Sequence, residues 1–582
     1  MGKFVFPLWA TILVCVFVTA LFLLAIIGGL GRLGTWPTCP KPIVPLPINQ
    51  LPLLLDFAKN NTISAGNTTV PRSYNVDVDY FGNLPGYEPE SFKAYTNAQR
   101  YDKFTAIFNQ ENIINIYDSS VWAIALVCAE SDNLTSYAQS YSWFKYLAYG
   151  TSPENNNFQL MGSKPNENWK FYKNDLKWLD GSIGEIGFGS RGLPIRGYSS
   201  QVPPYPCTLL NQTIGGASYG NVVIDPFVYS GCEGVIGEGS NNNPVTIVPT
   251  LFYTWSDHRY VLGEAAWTLL AICHLMNCSA YRTETVLPAF AARLVNTFIA
   301  LECGNQGGAV YYSPQLYEEK EHVTLKNPGW DQLGFSTENQ CSLVASLYAV
   351  TKTAILPQEL KTAALGLATR VTNFVVNQCV KLTVYTYDDN NGSTIDVQPP
   401  SVVQGSALVP LGVAPLANGD LFAVDCFTWL ISIFGNALEA RQENLCIDLW
   451  RTLKTQCGVV IDNEFKGFGF SFTTAENVIS GEWTLGAIFA ARSMLLLYVT
   501  NQIIFNELQS DIKLMNKTIV SMYTTKGLSV PGTAVLYANQ HYAIPFGWFA
   551  EKNASMASTT WQIFNLTNFN PFNLDGSLSF VV

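Results

Sequence analysis

Apolar residues in this chain arrive as paired runs. The runs over 257–275, 338–351, 425–437, 482–499 and 555–567 carry apolar side chains at helical spacing on almost every face, so each predicts a helix surrounded by other helices. The first four are followed, at 282–301, 357–376, 443–456 and 506–520, by runs with one apolar stripe and one polar face. Residues 118–147 hold a further pair of helices. An all-apolar helix needs neighbours on every side, whereas an amphipathic one meets water, so the alternation predicts an inner and an outer ring of helices. Counting 118–147 and 555–567 gives six units, a mainly α, (α/α)6 toroid over 118–575.

Four of the inner runs share a second feature, a carboxylate just ahead of the helix or one turn into it. Asp257 and Glu264 stand at the first, Asp331 and Glu338 at the second, Asp425 at the third and Glu482 at the fourth, while the last opens on Ser555. Successive inner helices run the same way, so these groups are expected to converge at one end of the ring. Each has a structural alternative. Asp425 is placed as an N-cap would be, and 336–338 reads as another cap, worth about 1 kcal/mol each. Glu338 and Glu482 suit the helix dipole at roughly 0.3–1 kcal/mol. Trp267, Trp429, Trp483 and Trp561, at helical spacing in apolar runs, read first as core.

The rest of the chain is organised differently. Residues 4–30 carry no charge and are bounded by Lys3 and Arg32, long enough to cross about 30 Å of hydrocarbon. They predict an uncleaved transmembrane signal anchor within 1–34, in preference to a cleaved signal peptide. A Pro-rich segment over 35–53 reads as a stiff extended stalk, 54–117 as a mixed N-terminal segment, and 576–582 as a tail. Residues 150–250, rich in Gly, Asn, Pro and Ser, read as a partly β insertion in the toroid.

Composition sharpens the setting. The net charge of -11 excludes the basic face that nucleic acid needs. With 13% of residues charged and 13% aromatic, neutral polar side chains must carry the surface. That suits a glycoprotein and a carbohydrate partner, oligosaccharide or polysaccharide. Outside the anchor, an even number of cysteines without a CxxC pair predicts disulfides drawn from Cys39, Cys128, Cys207, Cys232, Cys273, Cys278, Cys303, Cys379, Cys446 and Cys457. Cys341 and Cys426, inside helical runs, suit buried thiols instead. Sequons at Asn60, Asn67, Asn133, Asn211, Asn391, Asn516 and Asn553 are expected glycan acceptors, and those at Asn277 and Asn565 poor ones. Together these predict a single-pass type II membrane protein with its body in the secretory lumen or outside the cell. With four histidines and a glycine-rich stretch at 181–192 that lacks a phosphate-loop lysine, neither metal nor cofactor is expected.

The blocks DHRYVLGEAAWTLLA, GWDQLGFSTENQCSLVASLYA, VDCFTWLISIFG, KGFGFSFTTAENVISGEWTLGAIFAARSM and IPFGWFAEKNASMASTTWQIFNLTNFNPF resemble, in order, those of the six-hairpin glycosidase-like superfamily. The resemblance implies a cleft inside a helical ring, with glycan hydrolysis, lysis or epimerisation among its chemistries. Two departures stand out: Gln340 replaces a histidine, and Leu485 lies where a glutamine is usual. By block position, Glu338, Asp425 and Glu482 are the candidate catalytic groups. Glu482 is then general base and Glu338 general acid of an inverting hydrolase. Asp331, Glu264, Asp257, Trp429 and Trp483 are candidate substrate contacts. The competing expectation is a non-catalytic surface glycoprotein that binds glycan or self-assembles into homo-oligomers on an enzyme-like toroid.

Overall fold

A computed structural model describes, with breaks, residues 50–75, 113–150 and 261–582, together with short strands between 176 and 253. Twelve α-helices are present among the described residues. They are α1 (Leu51–Asn60), α2 (Ile116–Ala129), α3 (Leu134–Gly150), α4 (Leu262–Asn277), α5 (Val286–Ala300), α6 (Thr337–Lys352), α7 (Gln358–Phe374), α8 (Val424–Arg441), α9 (Leu445–Cys457), α10 (Gly481–Leu497), α11 (Gln502–Ser521) and α12 (Met556–Thr567).

Six of them form a closed ring: α2 packs on α4, α4 on α6, α6 on α8, α8 on α10, α10 on α12, and α12 back on α2. Each ring helix has one outer partner, α3, α5, α7, α9 and α11 in order, with α1 against α12. The two classes differ in burial as their sequences require. In α4 every residue from Leu262 to Met276 except Glu264 is buried, whereas α7 buries one stripe, Ala364, Leu367, Ala368, Val371, Thr372 and Phe374. The close approach of α4 and α6 depends on Gly263, where a Cβ would stand 2.3 Å from Asn339 Oδ1.

The sixth outer helix is a finding that pattern alone missed. The stalk expected over 35–53 lies mostly outside the described residues, but Leu51–Leu53 already belong to α1, whose proline sits in its first turn, where no N–H is needed. The toroid therefore begins with α1. Trp122 Nε1 donates to Ala58 O (2.8 Å), Met556 N to Ser73 O (2.8 Å), and the strand Tyr74–Asn75 pairs with Ala554–Ser555. These bonds join the beginning of the unit to its end and close the ring.

In the insertion, strands Thr208–Ile214, Ala217–Ile224 and Val235–Gly237 form an antiparallel sheet, in line with a partly β segment. The anchor segment 4–30 lies outside the described residues, among which no helix is long and apolar enough to cross a membrane.

Two expectations are corrected. Cys128, Cys273, Cys278, Cys379, Cys446 and Cys457 are free thiols, as are Cys341 and Cys426; Cys39, Cys207, Cys232 and Cys303 lie outside the described residues. The reason is position. Most of these side chains pack inside helix interfaces as small apolar groups, and burial pushes the Cys273, Cys379 and Cys457 thiols up to about 12. Asn516 and Asn553 are likewise buried, and Asn565 Nδ2 donates to Asn516 Oδ1 (2.8 Å), which leaves no room for a glycan. Asn60 is exposed at the end of α1. Asn67, Asn133 and Asn391 lie outside the described residues, and Asn211 falls within the insertion sheet.

Between outer helices, buried Asp511 of α11 accepts from Trp450 Nε1 (2.9 Å) and pairs with Lys454 Nζ (2.7 Å) of α9. Asp511→Ala leaves both donors unmatched and is expected to cost about 2–3 kcal/mol. Glu302→Ala breaks the more exposed pair to Arg370 and is expected to cost about 1 kcal/mol or less. Urea denaturation of the two variants side by side checks the order.

Candidate functional site

The chain alternates inner and outer helices, so all six ring helices point the same way and their N-termini meet at one mouth. Serines cap three of them: Ser336 Oγ accepts from Asn339 N on α6, Ser480 Oγ from Trp483 N on α10, and Ser555 Oγ from Ser558 N on α12. The cap position of α8 is Ala423, which has no side-chain cap. The acids are therefore not the N-caps. Glu338, Asp425 and Glu482 each occupy the second position of α6, α8 and α10, while Asp118 and Glu264 occupy the third of α2 and α4. Five ring helices thus place a carboxylate in the first turn.

These groups feel one another. Asp425 lies in the fields of Glu338 and Glu482, and Glu482 in those of Asp118 and Glu338. Among the described residues no lysine or arginine counters the charge on either Asp425 or Glu482. Burial, joined by its acidic neighbours, raises the Asp425 carboxyl well above the usual range, and burial lifts Glu482 to about 8 against the pull of a Tyr117 hydrogen bond. Glu482 thus holds its proton at neutral pH, and the Asp425 carboxyl is pushed in the same direction. Glu338 is half-buried, the more open of the three.

One turn deeper lies an aromatic layer. Trp267, Trp429 and Trp561 each stand at the sixth position of their helices, and Phe572 reaches them from the segment after α12. Trp267 meets Trp429 (5.3 Å between ring centres), Phe572 (5.3 Å) and Tyr117 (5.2 Å), and Phe572 meets Trp429 (5.7 Å) and Trp561 (6.0 Å). These rings fill the centre and form a floor beneath the acids. Below them His274 Nε2 donates to Pro571 O (3.0 Å), and burial lowers the ring to about 4, so it stays neutral and anchors the Phe572 segment.

Trp429 is 4% exposed within this floor, and Trp483, 7% exposed, packs edge-on against Phe470 (4.9 Å). Asp257 and Asp331 lie outside the described residues. Gln340, where the resemblance has a histidine, is committed to structure: its amide exchanges bonds with Val310 N (3.1 Å) and Val310 O (2.8 Å). Buried polar atoms around the two layers without a hydrogen-bond partner among the described residues include Asp425 Oδ1, Asn339 Nδ2, Trp267 Nε1 and Ser558 Oγ. Asn339 and Tyr117 are site residues that sequence reasoning missed. The signal for Asn339 was its place beside Glu338; for Tyr117 there was none short of its distant partner.

No group of three or more His, Cys, Asp or Glu among the described residues is arranged to hold a metal ion. A cavity of about 320 Å³ lies elsewhere, against α9, lined by Val397, Pro399, Pro400, Arg451 and Gln456 among others. It has none of the clustered carboxyls.

No family model matches the chain, and no curated protein matches it. Among solved structures it is similar to a D-mannose isomerase, at 7% identity and a TM-score of 0.41 over 83% of this chain and 99% of that one. It is also similar to a glycosidase in complex with glucose, at 9% and 0.40 over 86% and 99%. A third is an α-mannanase of Bacteroides thetaiotaomicron, at 9% and 0.33 over 82% and 95%. These are six-hairpin, glycosidase-like toroids, the fold that the sequence blocks resemble. At such scores the likeness adds no argument of its own, and the toroid stands on the closed ring of six helices and their outer partners.

Proposed function

We propose that the mouth of the ring is a glycan-processing site of the glycoside-hydrolase kind, working with inversion. The observation that carries this is the pair of buried carboxyls, Asp425 and Glu482, that no described lysine or arginine counters, together with unpartnered Asp425 Oδ1, Asn339 Nδ2 and Trp267 Nε1. An open acceptor and two open donors suit a neutral polyhydroxylated ligand better than an ion, because each sugar hydroxyl both donates and accepts. Glycoside hydrolysis needs one protonated and one ionised carboxyl. Buried Glu482 holds its proton at neutral pH and suits the acid at the leaving oxygen; half-buried Glu338 is better placed to activate water. This exchanges the roles expected from block order. Asp425 then binds a sugar hydroxyl. Residues 4–30 tether the body in the secretory lumen or outside the cell, where such glycans occur.

A second reading is favoured by two observations: the ring centre is filled by Trp267, Trp429, Trp561 and Phe572, and Gln340 is spent on Val310. On that reading the toroid binds glycan or assembles with copies of itself without turnover. Proton NMR of oligosaccharide mixtures incubated with the protein separates the two. The hydrolytic reading expects new reducing ends that appear first as the inverted anomer. It also expects rates about 10²–10⁴-fold lower in Glu338→Gln and Glu482→Gln. Sugar binding without product supports the second reading.

A further inference from the structure

We propose that Asn60 carries an N-linked oligosaccharide beside the mouth of the ring, while the sequons at Asn516, Asn553 and Asn565 stay bare. The inference rests on the placement of the body in the secretory lumen or outside the cell, the route along which such glycans are added. Asn60, Asn61 and Thr62 form an N-x-T sequon at the end of α1. Asn60 is exposed, whereas Asn61 is fully buried and fixes the local chain: its Nδ2 donates to Arg72 O (3.2 Å), and Asn75 Nδ2 donates to its Oδ1 (3.1 Å). Asn75 belongs to the strand that pairs with Ala554–Ser555 at the start of α12. The end of α1 is thereby held at the same end of the ring as the acids, with the Asn60 side chain open to solvent.

Attachment joins Nδ2 to the anomeric carbon of a sugar. The nitrogen displaces a lipid diphosphate from an oligosaccharide donor: the new C–N bond forms, the C–O bond to the diphosphate breaks, and one Nδ2 proton is released. One N–H remains. At Asn60 a single exposed hydrogen bond is at stake, Nδ2 to Asp56 O (2.7 Å), and one N–H is enough to keep it. Asn565 differs, because both of its Nδ2 hydrogens are spent, on Asn516 Oδ1 (2.8 Å) and Gln562 Oε1 (2.9 Å). A sugar on Asn565 breaks one of those bonds, and a sugar on Asn516 parts α11 from α12 at the same contact. Asn553 is buried in front of Ser555, whose Oγ caps α12, and its carbonyl accepts from Tyr537 N (2.7 Å). A glycan on any of these three before folding keeps α12 from its place in the ring, so the folded protein is expected without one there.

The test is peptide mass spectrometry of the full-length chain made in a glycosylating eukaryotic cell. Release of N-glycans by peptide N-glycosidase in heavy-oxygen water marks each occupied asparagine. The Asn60 peptide is expected to be marked, and those of Asn516, Asn553 and Asn565 unmarked. Asn60→Gln and Thr62→Ala should each remove one glycan, whereas Thr62→Ser should retain it, because it keeps the hydroxyl that completes the sequon. A protein glycosylated at other sequons but bare at Asn60 overturns the proposal, and so does a glycan on Asn516, Asn553 or Asn565 of the folded protein. A protein bare at every sequon overturns it too, and a reporter then shows which premise failed. Gly527→Asn completes a sequon with Ser529 in an exposed turn, at a φ of 70° that asparagine tolerates. A glycan on that reporter leaves the lumenal placement standing and removes the Asn60 site alone. A bare reporter removes the lumenal placement as well.

Discussion

Glu482→Gln should make the protein more stable above pH 8 while abolishing its turnover. Folding takes the Glu482 carboxyl from the ordinary glutamate value of 4.5 to about 8, chiefly by burial. Between those values the folded state binds more proton than the unfolded chain, so the stability present below pH 4.5 is lost as pH rises through about 8. Above that point an ionised Glu482 costs the fold about 5 kcal/mol. Glutamine keeps the shape and does not titrate. The variant should therefore match the parent near pH 4.5 and exceed it at pH 9, with a melting temperature higher by about 4 °C for a chain of this length. Thermal denaturation across this range, set beside oligosaccharide turnover, checks both halves. A group that only supported its helix would lower stability on removal at every pH, so the sign separates a functional carboxyl from a structural one.

Phe572→Ala should be among the most damaging single changes. Phe572 is 1% exposed, and its ring stands among Trp267, Trp429 and Trp561, each from a different ring helix. Truncation removes the transfer energy of a phenyl group and leaves a cavity that three indoles on rigid helices cannot close, at about 3–5 kcal/mol. The edge-to-face contacts add to the loss. His274 and the C-terminal residues hold the segment from below; Val582 N donates to Ile433 O (2.9 Å), and Phe580 fills the space over Gly435, where a Cβ would meet its ring at 2.1 Å. Denaturant titration reads the stability loss directly. Phe572→Leu, which refills most of the volume, should recover more than half of it. An unchanged midpoint for the alanine variant would mean that the aromatic layer does not support the ring.

The helical pairs were legible because burial dictates composition. A helix enclosed on all sides shows it in every residue, and the runs at 338–351, 425–437 and 555–567 fall on α6, α8 and α12 nearly residue for residue. The acids at the starts of α6, α8 and α10 were legible for the same reason, since a carboxylate beside an otherwise apolar run is conspicuous. What sequence could not show depends on distant partners. The short helix α1 becomes the sixth outer helix only by meeting α12, about 500 residues away in the chain. Tyr117 acquires its place from Trp561, Trp267 and Trp429, and Phe572 from three other helices. The cysteine count suggested an oxidised framework; helix interfaces, which accept a thiol as a small apolar group, gave a different answer for those described. The sequons at Asn516 and Asn553 failed likewise, because a three-residue motif carries no information about burial.

The roles of the carboxyls also had to wait for the structure. Block order gave Glu482 as base and Glu338 as acid; the proposal exchanges them because Glu482 is the more deeply buried and burial raises its carboxyl to about 8. Depth in the mouth, which no local pattern encodes, is the ground for that exchange.

The most direct test is a crystal structure of the Glu482→Gln protein with an oligosaccharide bound. A sugar ring is expected in the mouth, bonded to Asp425 Oδ1 and Asn339 Nδ2. Its glycosidic oxygen should lie between position 482 and Glu338, with the two side chains about 6.5–9.5 Å apart and a water on the Glu338 side. A mouth that stays empty at saturating sugar would refute the proposal.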